Sequence, residues 1–269
     1  MIDLKYPILM VHGMGFRDRK HIGYWGRIPR VLEGLGATVY FGGQDSSGSI
    51  EGNGEFLAQR IRELCAEHNI EKFNVIAHSK GGLDIRYAIS SLGMGPWIAS
   101  VTTINTPHNG SYTVDKLLKF PACIVRFGCV FADWWFKLLG DKNPRTYAAI
   151  QSFRTYDSQE FNRMNPDDPS VYYQSYAFTC KKVTGDMLLF ISNLVVRAIE
   201  GENDGLLTPR AVKWTNFRGH FRSVGNRGVS HCDEVDMRRR PLSKKKGDGI
   251  SDITDFYSDV VKELAQMGY

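Results

Sequence analysis

Short apolar runs alternate with amphipathic stretches along most of the 269 residues. The runs predict strands at 7–11, 37–41, 73–77, 100–104 and 172–178. Between the second and third runs, Leu57, Ile61 and Leu64 recur at helical spacing and predict an amphipathic helix over 55–67. Strands that alternate with helices favour a mostly parallel sheet covered by helices. No shift in composition, repeat or low-complexity tract divides the chain, so 1–269 is predicted to be a single domain.

The third apolar run leads directly into a serine flanked by small residues. Residues 77–81 read AHSKG, which follows the Gly-x-Ser-x-Gly pattern of a nucleophile elbow with Ala77 in place of the first glycine. A serine hydroxyl is a weak nucleophile until a strained turn exposes it and a base takes its proton, and small neighbours are what such a turn requires. Ser79 is therefore the candidate nucleophile. The alternative is a serine in an ordinary strand-to-helix loop.

Two backbone amides are candidates for stabilising the oxyanion that forms when such a serine attacks. The donors come from the residue after the nucleophile and from a loop that follows an earlier strand. Lys80 supplies the first. The first apolar run ends in a glycine-rich turn at 12–15, and there Met14 is expected to supply the second.

A carboxylate and a histidine follow the serine in the order that this type of fold requires. Asp204 precedes a glycine in a polar turn, although an exposed turn of the same sequence would look similar. Of the two histidines beyond Asp204, His220 and His231, we favour His231 as the base. Unperturbed histidine titrates near pH ~6.5, which suits a group that must accept and return a proton.

Many short sequence motifs occur along the chain in a fixed order, and they include these positions. They are 6–8, 11–14, 24–25, 28–29, 36–40, 75–79, 85–87, 99–103, 106–111, 203–206, 231 and 233–235. In them the chain resembles the bacterial triacylglycerol lipases of the Pseudomonas, Burkholderia and Proteus group. The resemblance implies an α/β-hydrolase fold, a mostly parallel central sheet flanked by helices with a helical lid insertion at about 114–165. It also implies that Ser79, Asp204 and His231 form a triad.

The segment 114–140 is crowded with apolar side chains. Lys119, Arg126, Asp133 and Lys137 are spaced so that they share one narrow stripe of a helix, which leaves a wide apolar face. A membrane span needs about 20 nearly uncharged residues, and the charges at Arg126 and Asp133 argue against one. No transmembrane segment is predicted.

In the lipases that the chain resembles, this region contains a mobile lid, which covers the serine in water and turns toward a lipid surface on opening. We therefore expect 114–140 to be a lid and part of the acyl-binding wall, with Phe127, Phe131, Trp134 and Trp135 as its substrate-facing residues. A buried core helix is the alternative. The apolar stretch 187–199 is a second candidate wall.

The resemblance also implies a structural calcium ion beside the histidine loop. The related lipases hold it with two aspartates, a glutamine side-chain position and backbone carbonyls, and hard oxygen ligands suit that ion. Asp233 matches one aspartate and Asp186 corresponds to the other, while the glutamine position falls on Met237. No cofactor is expected to be required for the chemistry itself.

The net charge and the cysteine content indicate which binding partners and which cellular compartment to expect. The net charge is +5, and the basic runs 238–240 and 244–246 lack interleaved aromatics, so we expect a solvated surface loop and no nucleic-acid partner, with attraction to anionic lipid as the alternative. Five cysteines cannot all pair within one chain, which fits a reducing compartment. The N-terminal residues lack a secretory pattern, so the protein is expected to be cytoplasmic if Met1 is the native start and secreted if a signal peptide was removed. Nothing in the sequence indicates an oligomeric state.

Together these features predict a carboxylic ester hydrolase, a lipase or esterase that cleaves acyl esters such as triacylglycerols through an acyl-enzyme, at a lipid–water interface. An acyltransferase or a thioesterase with the same triad is the first alternative. A non-catalytic lipid-binding protein with this fold is the second.

Overall fold

A single parallel sheet runs through the protein. The computed structural model describes residues 2–15, 17–18, 23–244, 247 and 249–269. Within these residues six strands pair in the order β2-β1-β3-β4-β5-β6, and every neighbouring pair is parallel. The strands are β1 (Ile8–Val11), β2 (Val39–Phe41), β3 (Phe73–His78), β4 (Ile98–Ile104), β5 (Tyr172–Phe178) and β6 (Phe217–Phe221).

Helices connect the strands and cover the sheet. In the described part of the chain they are α1 (Ile28–Gly34), α2 (Ile50–His68), α3 (Gly81–Ser91), α4 (Tyr112–Leu117), α5 (Ala122–Leu138), α6 (Thr146–Gln151), α7 (Thr155–Met164), α8 (Phe190–Glu200), α9 (Pro209–Val212) and α10 (Ile253–Gln266). Short 3-10 turns occupy Gly95–Trp97 and Val183–Gly185. None of the helices among these residues is both long enough and apolar enough to cross a membrane.

The sheet is buried on both faces because its side chains alternate between two apolar layers. Ile8 and Met10 of β1 pack with residues of α1 and α10, while Leu9 and Val11 pack with residues of α2 and α3. All four side chains are fully buried. This burial fixes the position of the carboxyl ends of the strands, where the candidate site residues lie.

The predicted elements agree with the structure at their centres and differ at their ends. Each of the five predicted strands is present, with bounds that differ by at most two residues. The predicted helix 55–67 begins earlier, at Ile50, because the Ser49 hydroxyl accepts a hydrogen bond from the Gly52 amide and caps the first turn. Strand β6 was not predicted, since Arg218, Gly219 and His220 interrupt its apolar pattern and it lies half exposed at one edge of the sheet.

The segment 114–140 contains two helices, α4 and α5, where the charge spacing predicted one. Lys119 lies in the turn between them, and Pro121 is the N-cap of α5. The charged stripe therefore continues along one helix only from Arg126 to Lys137.

Candidate active site

Ser79 occupies a strained turn between β3 and α3. Its φ angle is 52°, in the left-handed region that residues other than glycine rarely adopt. The Ser79 amide donates a hydrogen bond to the Ile104 carbonyl at 2.9 Å, which ties the turn to the end of β4. Such strain is typical of functional turns, and it is the backbone geometry that a nucleophile elbow requires.

Close backbone contacts explain the small residues around this turn. A Cβ atom added to Gly13 would lie 2.7 Å from the Ser79 Cβ. One added to Gly81 would lie 2.4 Å from the His12 carbonyl oxygen, and one added to Gly82 would lie 2.2 Å from the Thr106 hydroxyl. The loop after β1 and the start of α3 can approach Ser79 this closely only because these three positions carry no side chain.

The amides of Met14 and Lys80 lie on the two segments that meet at Ser79. Neither amide donates to an acceptor among the residues that the structure describes. The Lys80 side chain points elsewhere, since its Nζ forms a buried ion pair with Asp84 at 2.6 Å. Lys80 can therefore serve as an oxyanion donor through its backbone while its side chain braces α3.

Asp204 and His231 are in direct contact. His231 Nδ1 lies 2.6 Å from Asp204 Oδ2, and the His231 amide donates to the Asp204 carbonyl at 2.9 Å. Burial opposes ionisation of Asp204, but the adjacent His231 ring and the amides of Leu206 and Leu207 outweigh it and hold the pKa of that carboxyl below its usual value. The second histidine, His220, instead contacts the Thr179 hydroxyl at 2.6 Å.

The His231 ring stands against the residue that precedes the serine. Its centroid lies 4.5 Å from that of His78. The Ser79 hydroxyl makes no hydrogen bond within the described part of the chain and is 9% exposed. His231 thus packs against the residue next to Ser79, and its hydrogen bond to the serine, which proton transfer needs, is not formed here. Such bonds often tighten only when substrate binds.

Two further residues belong to the site, and the sequence reasoning gave neither of them a role. Asn105 Nδ2 donates to Asp204 Oδ2 at 2.5 Å and to Glu234 Oε1 at 2.8 Å, and so links two carboxyl groups. Glu234 Oε2 lies 2.8 Å from His78 Nε2 and 3.5 Å from His231 Nδ1. The position of Asn105, directly after β4 at the carboxyl end of the sheet, is the signal that could have identified it.

Glu234 is completely buried, in surroundings that favour its neutral form. Complete burial, followed by the nearby Asp204 charge, raises the pKa of Glu234 well above its usual value. Burial and the adjacent His231 lower the pKa of His78 well below its usual value. These shifts favour the uncharged forms of Glu234 and His78, and the lowered pKa of Asp204 favours its anion beside His231.

The four predicted substrate-facing residues of the lid lie on an apolar surface that faces solvent. Phe127 is 80% exposed, and Phe131, Trp134 and Trp135 are each more than half exposed. Two members of the charged stripe of α5 instead face inward: Asp133 accepts a hydrogen bond from the Thr146 amide, and Arg126 lies over the Tyr147 ring, so both contact α6. The alternative of a buried core helix is wrong, because Cys129 alone is buried within α5.

An apolar groove of about 560 Å³ is lined by residues of α4 and α8. Its lining is mainly aliphatic and includes Leu117, Ile191, Val195 and Leu206. Leu206 follows Asp204 by two residues, so one end of the groove adjoins the loop of the candidate acid. Several residues of the stretch 187–199, the second candidate wall, line this groove.

The residues at the expected calcium position do not fit that ion. Asp186 and Asp233 come together beside the histidine loop, since Asp186 Oδ2 accepts from Ser230 Oγ at 2.6 Å and Asp233 Oδ2 accepts from the Ser230 amide at 3.2 Å. Arg238 already pairs with both carboxylates. Calcium takes 6–8 oxygen ligands, whereas the third expected side-chain ligand is Met237, which packs against the apolar core.

The basic run 238–240 is not uniformly solvated, in contrast to the prediction. Arg240 is exposed, but three quarters of the Arg238 side chain is covered. Of the second run, Lys245 and Lys246 lie outside the described residues.

Comparisons with known proteins agree on family and fold. The sequence profile of the palmitoyl protein thioesterase family matches residues 7–244. Triacylglycerol lipase 2 of Saccharomyces cerevisiae is 28% identical over 263 residues, which are 92% of this chain and 75% of the yeast protein. The triacylglycerol lipase of Burkholderia plantarii is 38% identical over 117 residues, 41% of this chain and 32% of that lipase.

The crystal structure of Staphylococcus hyicus lipase superposes on this chain with a TM-score of 0.72 at 15% identity, covering 99% of this chain and 97% of that one. This likeness shows the fold, and the predicted α/β-hydrolase architecture with its mostly parallel sheet is confirmed. Because the family profile spans most of its length, the chain belongs to the palmitoyl protein thioesterase family of the α/β-hydrolase superfamily, and its lipase relatives identify it as a hydrolytic enzyme of the lipase and carboxylesterase class.

Proposed function

We propose that this protein hydrolyses acyl esters, triacylglycerols among them, with Ser79 as nucleophile, His231 as base and Asp204 as the acid that orients it. The observation that carries the proposal is the 2.6 Å contact between His231 Nδ1 and a buried Asp204, with the His231 ring packed against His78, the residue before a serine held at a φ of 52°. A carboxylate in this position selects the imidazole tautomer whose other nitrogen accepts a proton.

The reaction proceeds in two acyl transfers. Ser79 Oγ attacks the ester carbonyl carbon while His231 Nε2 takes the hydroxyl proton, and the amides of Met14 and Lys80 hold the oxyanion. The tetrahedral intermediate collapses as His231 returns that proton to the departing alcohol. Water then attacks the acyl-enzyme with the same proton transfers, releasing the carboxylic acid and restoring Ser79. Asp204 stabilises the imidazolium at both stages.

Helices α4 and α5 form a lid that turns its apolar surface toward lipid. The exposed aromatic residues of α5 and the aliphatic groove between α4 and α8 support this assignment, since contiguous apolar surface on a water-soluble fold marks an interaction site. The groove takes the acyl chain, and the insertion that carries the lid extends over about 114–165. Substrate is expected to be met at a lipid–water interface.

We infer that, within the lipases, part of this chain is related to the Pseudomonas, Burkholderia and Proteus group. The 38% identity with the Burkholderia plantarii lipase supports this finer relationship. The match extends over 117 residues, which are 41% of this chain.

Hydrolysis of acyl thioesters is the second candidate function. The match of the palmitoyl protein thioesterase profile over residues 7–244 favours it, and the same nucleophile, base and oxyanion donors would serve. An ester and a thioester differ in the leaving group, so the two activities can be separated with one acyl chain.

The test compares substrates that share an acyl group. Initial rates are measured for p-nitrophenyl esters, emulsified triacylglycerols and acyl thioesters across a series of chain lengths, with Ser79→Ala as the control. We expect higher kcat/KM for the oxygen esters and no turnover by Ser79→Ala. A preference for thioesters at every chain length would replace the main proposal by the second candidate. A folded protein that cleaves none of them would be a lipid binder and would overturn both.

A further inference from the structure

Two buried carboxylates fasten the loop that carries His231. Asp186 follows the 3-10 turn Val183–Gly185, and Asp233 lies two residues beyond His231; each is 4% exposed. Ser230 joins them, because its hydroxyl donates to Asp186 while its amide donates to Asp233. Ser230 directly precedes His231, so the position of the imidazole depends on this pair of acids.

Two arginines supply the counter-charge at this point. Arg238 Nη2 lies 2.8 Å from Asp186 Oδ2, and Arg238 Nε lies 3.4 Å from Asp233 Oδ1. Arg227 Nη2 lies 3.6 Å from Asp233 Oδ2, and its Nε donates to the Gly185 carbonyl at 2.8 Å. The guanidinium groups thus contact carboxylate and carbonyl oxygens of the Asp186 turn and of the His231 loop. A bound divalent cation would have to join the same two segments.

The charges of this cluster balance only while the arginines remain in place. Burial raises the pKa of Asp233, and its hydrogen bonds from Ser230 and the Arg227 charge oppose that rise. Removing one member of a buried ion pair leaves an uncompensated charge and is strongly destabilising, whereas an exposed charge nearby contributes little. Arg238 is therefore expected to matter far more than Arg240 of the same basic run.

We propose that Arg238, assisted by Arg227, is a built-in cation that fastens the His231 loop to the Asp186 turn, so that the fold of this loop is independent of calcium. The inference concerns the stability of the loop. It stands whether the substrate is an ester or a thioester.

The experiment uses the melting temperature of the whole chain as its readout. Wild type, Arg238→Met and the matched control Arg240→Met are stripped with a chelator and then measured with and without added calcium chloride. Wild type and Arg240→Met are expected to keep one melting temperature in all conditions. Arg238→Met is expected to melt roughly 5–10 °C lower, and to recover part of that loss with calcium, because two carboxylates are then left without their cation.

Other results would overturn the proposal. One is a wild type whose melting temperature falls on chelation and returns with calcium. Another is an Arg238→Met protein whose melting temperature equals that of Arg240→Met. Should Arg238→Met not fold, Arg238→Lys is the second variant, because lysine retains the positive charge but lacks the planar guanidinium group. An Arg238→Lys protein that is as stable as wild type and unresponsive to calcium would support the proposal. An Arg238→Lys protein whose melting temperature rises with calcium would contradict it.

Discussion

At the scale of single residues, the geometry of the candidate site depends on how closely three backbone segments approach Ser79. The left-handed φ of Ser79 is sustained by its amide bond to Ile104 and by glycines that admit the neighbouring segments. Gly13 is the most sensitive of these positions, because a methyl group there would meet both the Ser79 Cβ at 2.7 Å and the Tyr24 hydroxyl at 2.9 Å.

Gly13→Ala is expected to displace the loop that carries the Met14 amide. Loss of one oxyanion donor lowers turnover by about 10²–10³, so we expect a fall of that order in kcat with a smaller change in KM. Gly34→Ala is the control, since an added Cβ at the end of α1 meets nothing within 4 Å. Unchanged kcat in a folded Gly13→Ala protein would remove Met14 from the oxyanion hole.

The raised pKa of Glu234 predicts how the folding stability depends on pH. Its pKa in the folded protein is raised, so between the usual carboxyl value and that raised value the folded protein keeps a proton that the unfolded chain has released. Folding stability is therefore lost as pH rises through that window. Glu234→Gln cannot ionise, and its stability relative to wild type should increase as the pH rises above the usual carboxyl value of 4.5 toward the raised pKa of Glu234.

Urea denaturation at a series of pH values measures this difference. Glu33→Gln, on the exposed side of α1, serves as the control and should run parallel to wild type. If the Glu234→Gln curve also runs parallel, the buried acid is not protonated in the way described.

At the scale of secondary-structure elements, α5 has Arg126 and Asp133 against the protein and most of its apolar residues toward solvent. This is the reverse of an ordinary amphipathic surface helix. The basic residues Lys116, Lys119 and Lys137 are exposed beside the apolar surface, whereas Asp115 and Asp133 are half-buried and accept hydrogen bonds from Thr155 and Thr146. Such a surface suits an anionic lipid layer.

Trp134→Ser combined with Trp135→Ser tests the surface of α5. Because each tryptophan would lose apolar contact with lipid, we expect activity on emulsified long-chain esters to fall about tenfold or more, with soluble short-chain esters much less affected. The double variant Trp134→Phe with Trp135→Phe keeps the apolar surface and should retain activity. Equal losses on both kinds of substrate would argue against a lid at this helix.

The sequence predicted the central strands and singled out the candidate nucleophile, for physical reasons that particular residues make clear. Strand β3 and the small residues after it are local patterns, so Ser79 could be singled out from neighbouring positions alone. The orientation of α5 could not be predicted in this way, because periodicity defines two faces of a helix without saying which one contacts the protein. Arg238 was assigned to a solvated run because its partners, Asp186 and Asp233, are brought to it only by the tertiary fold.

At the scale of the whole molecule, a buried polar clamp joins the two helices that flank the elbow on one face of the sheet. The Lys80–Asp84 ion pair lies within α3 and its N-cap, and Asn53 of α2 donates to the same carboxylate at 2.8 Å. Both charged side chains are almost completely buried. The clamp holds α3, and with it the serine turn, against α2.

Asp84→Ala should destabilise the entire fold. The ammonium of Lys80 would be left buried without its partner, which costs about 3–5 kcal/mol in free energy of unfolding. Asp259→Ala on α10 removes an exposed ion pair with Lys262 and should leave that free energy unchanged within error. Chemical denaturation of both variants decides the matter, and a loss for Asp84→Ala no larger than that for Asp259→Ala would contradict the clamp.

The most direct test of the proposed chemistry is covalent labelling of the folded protein with a fluorophosphonate, followed by peptide mapping. The reagent reacts with a serine only when a neighbouring base activates it. We predict one modified residue, Ser79, with labelling abolished in Ser79→Ala and greatly slowed in His231→Ala. Labelling of a different serine, or none in a protein that melts cooperatively, would contradict the assignment of Ser79 as the nucleophile.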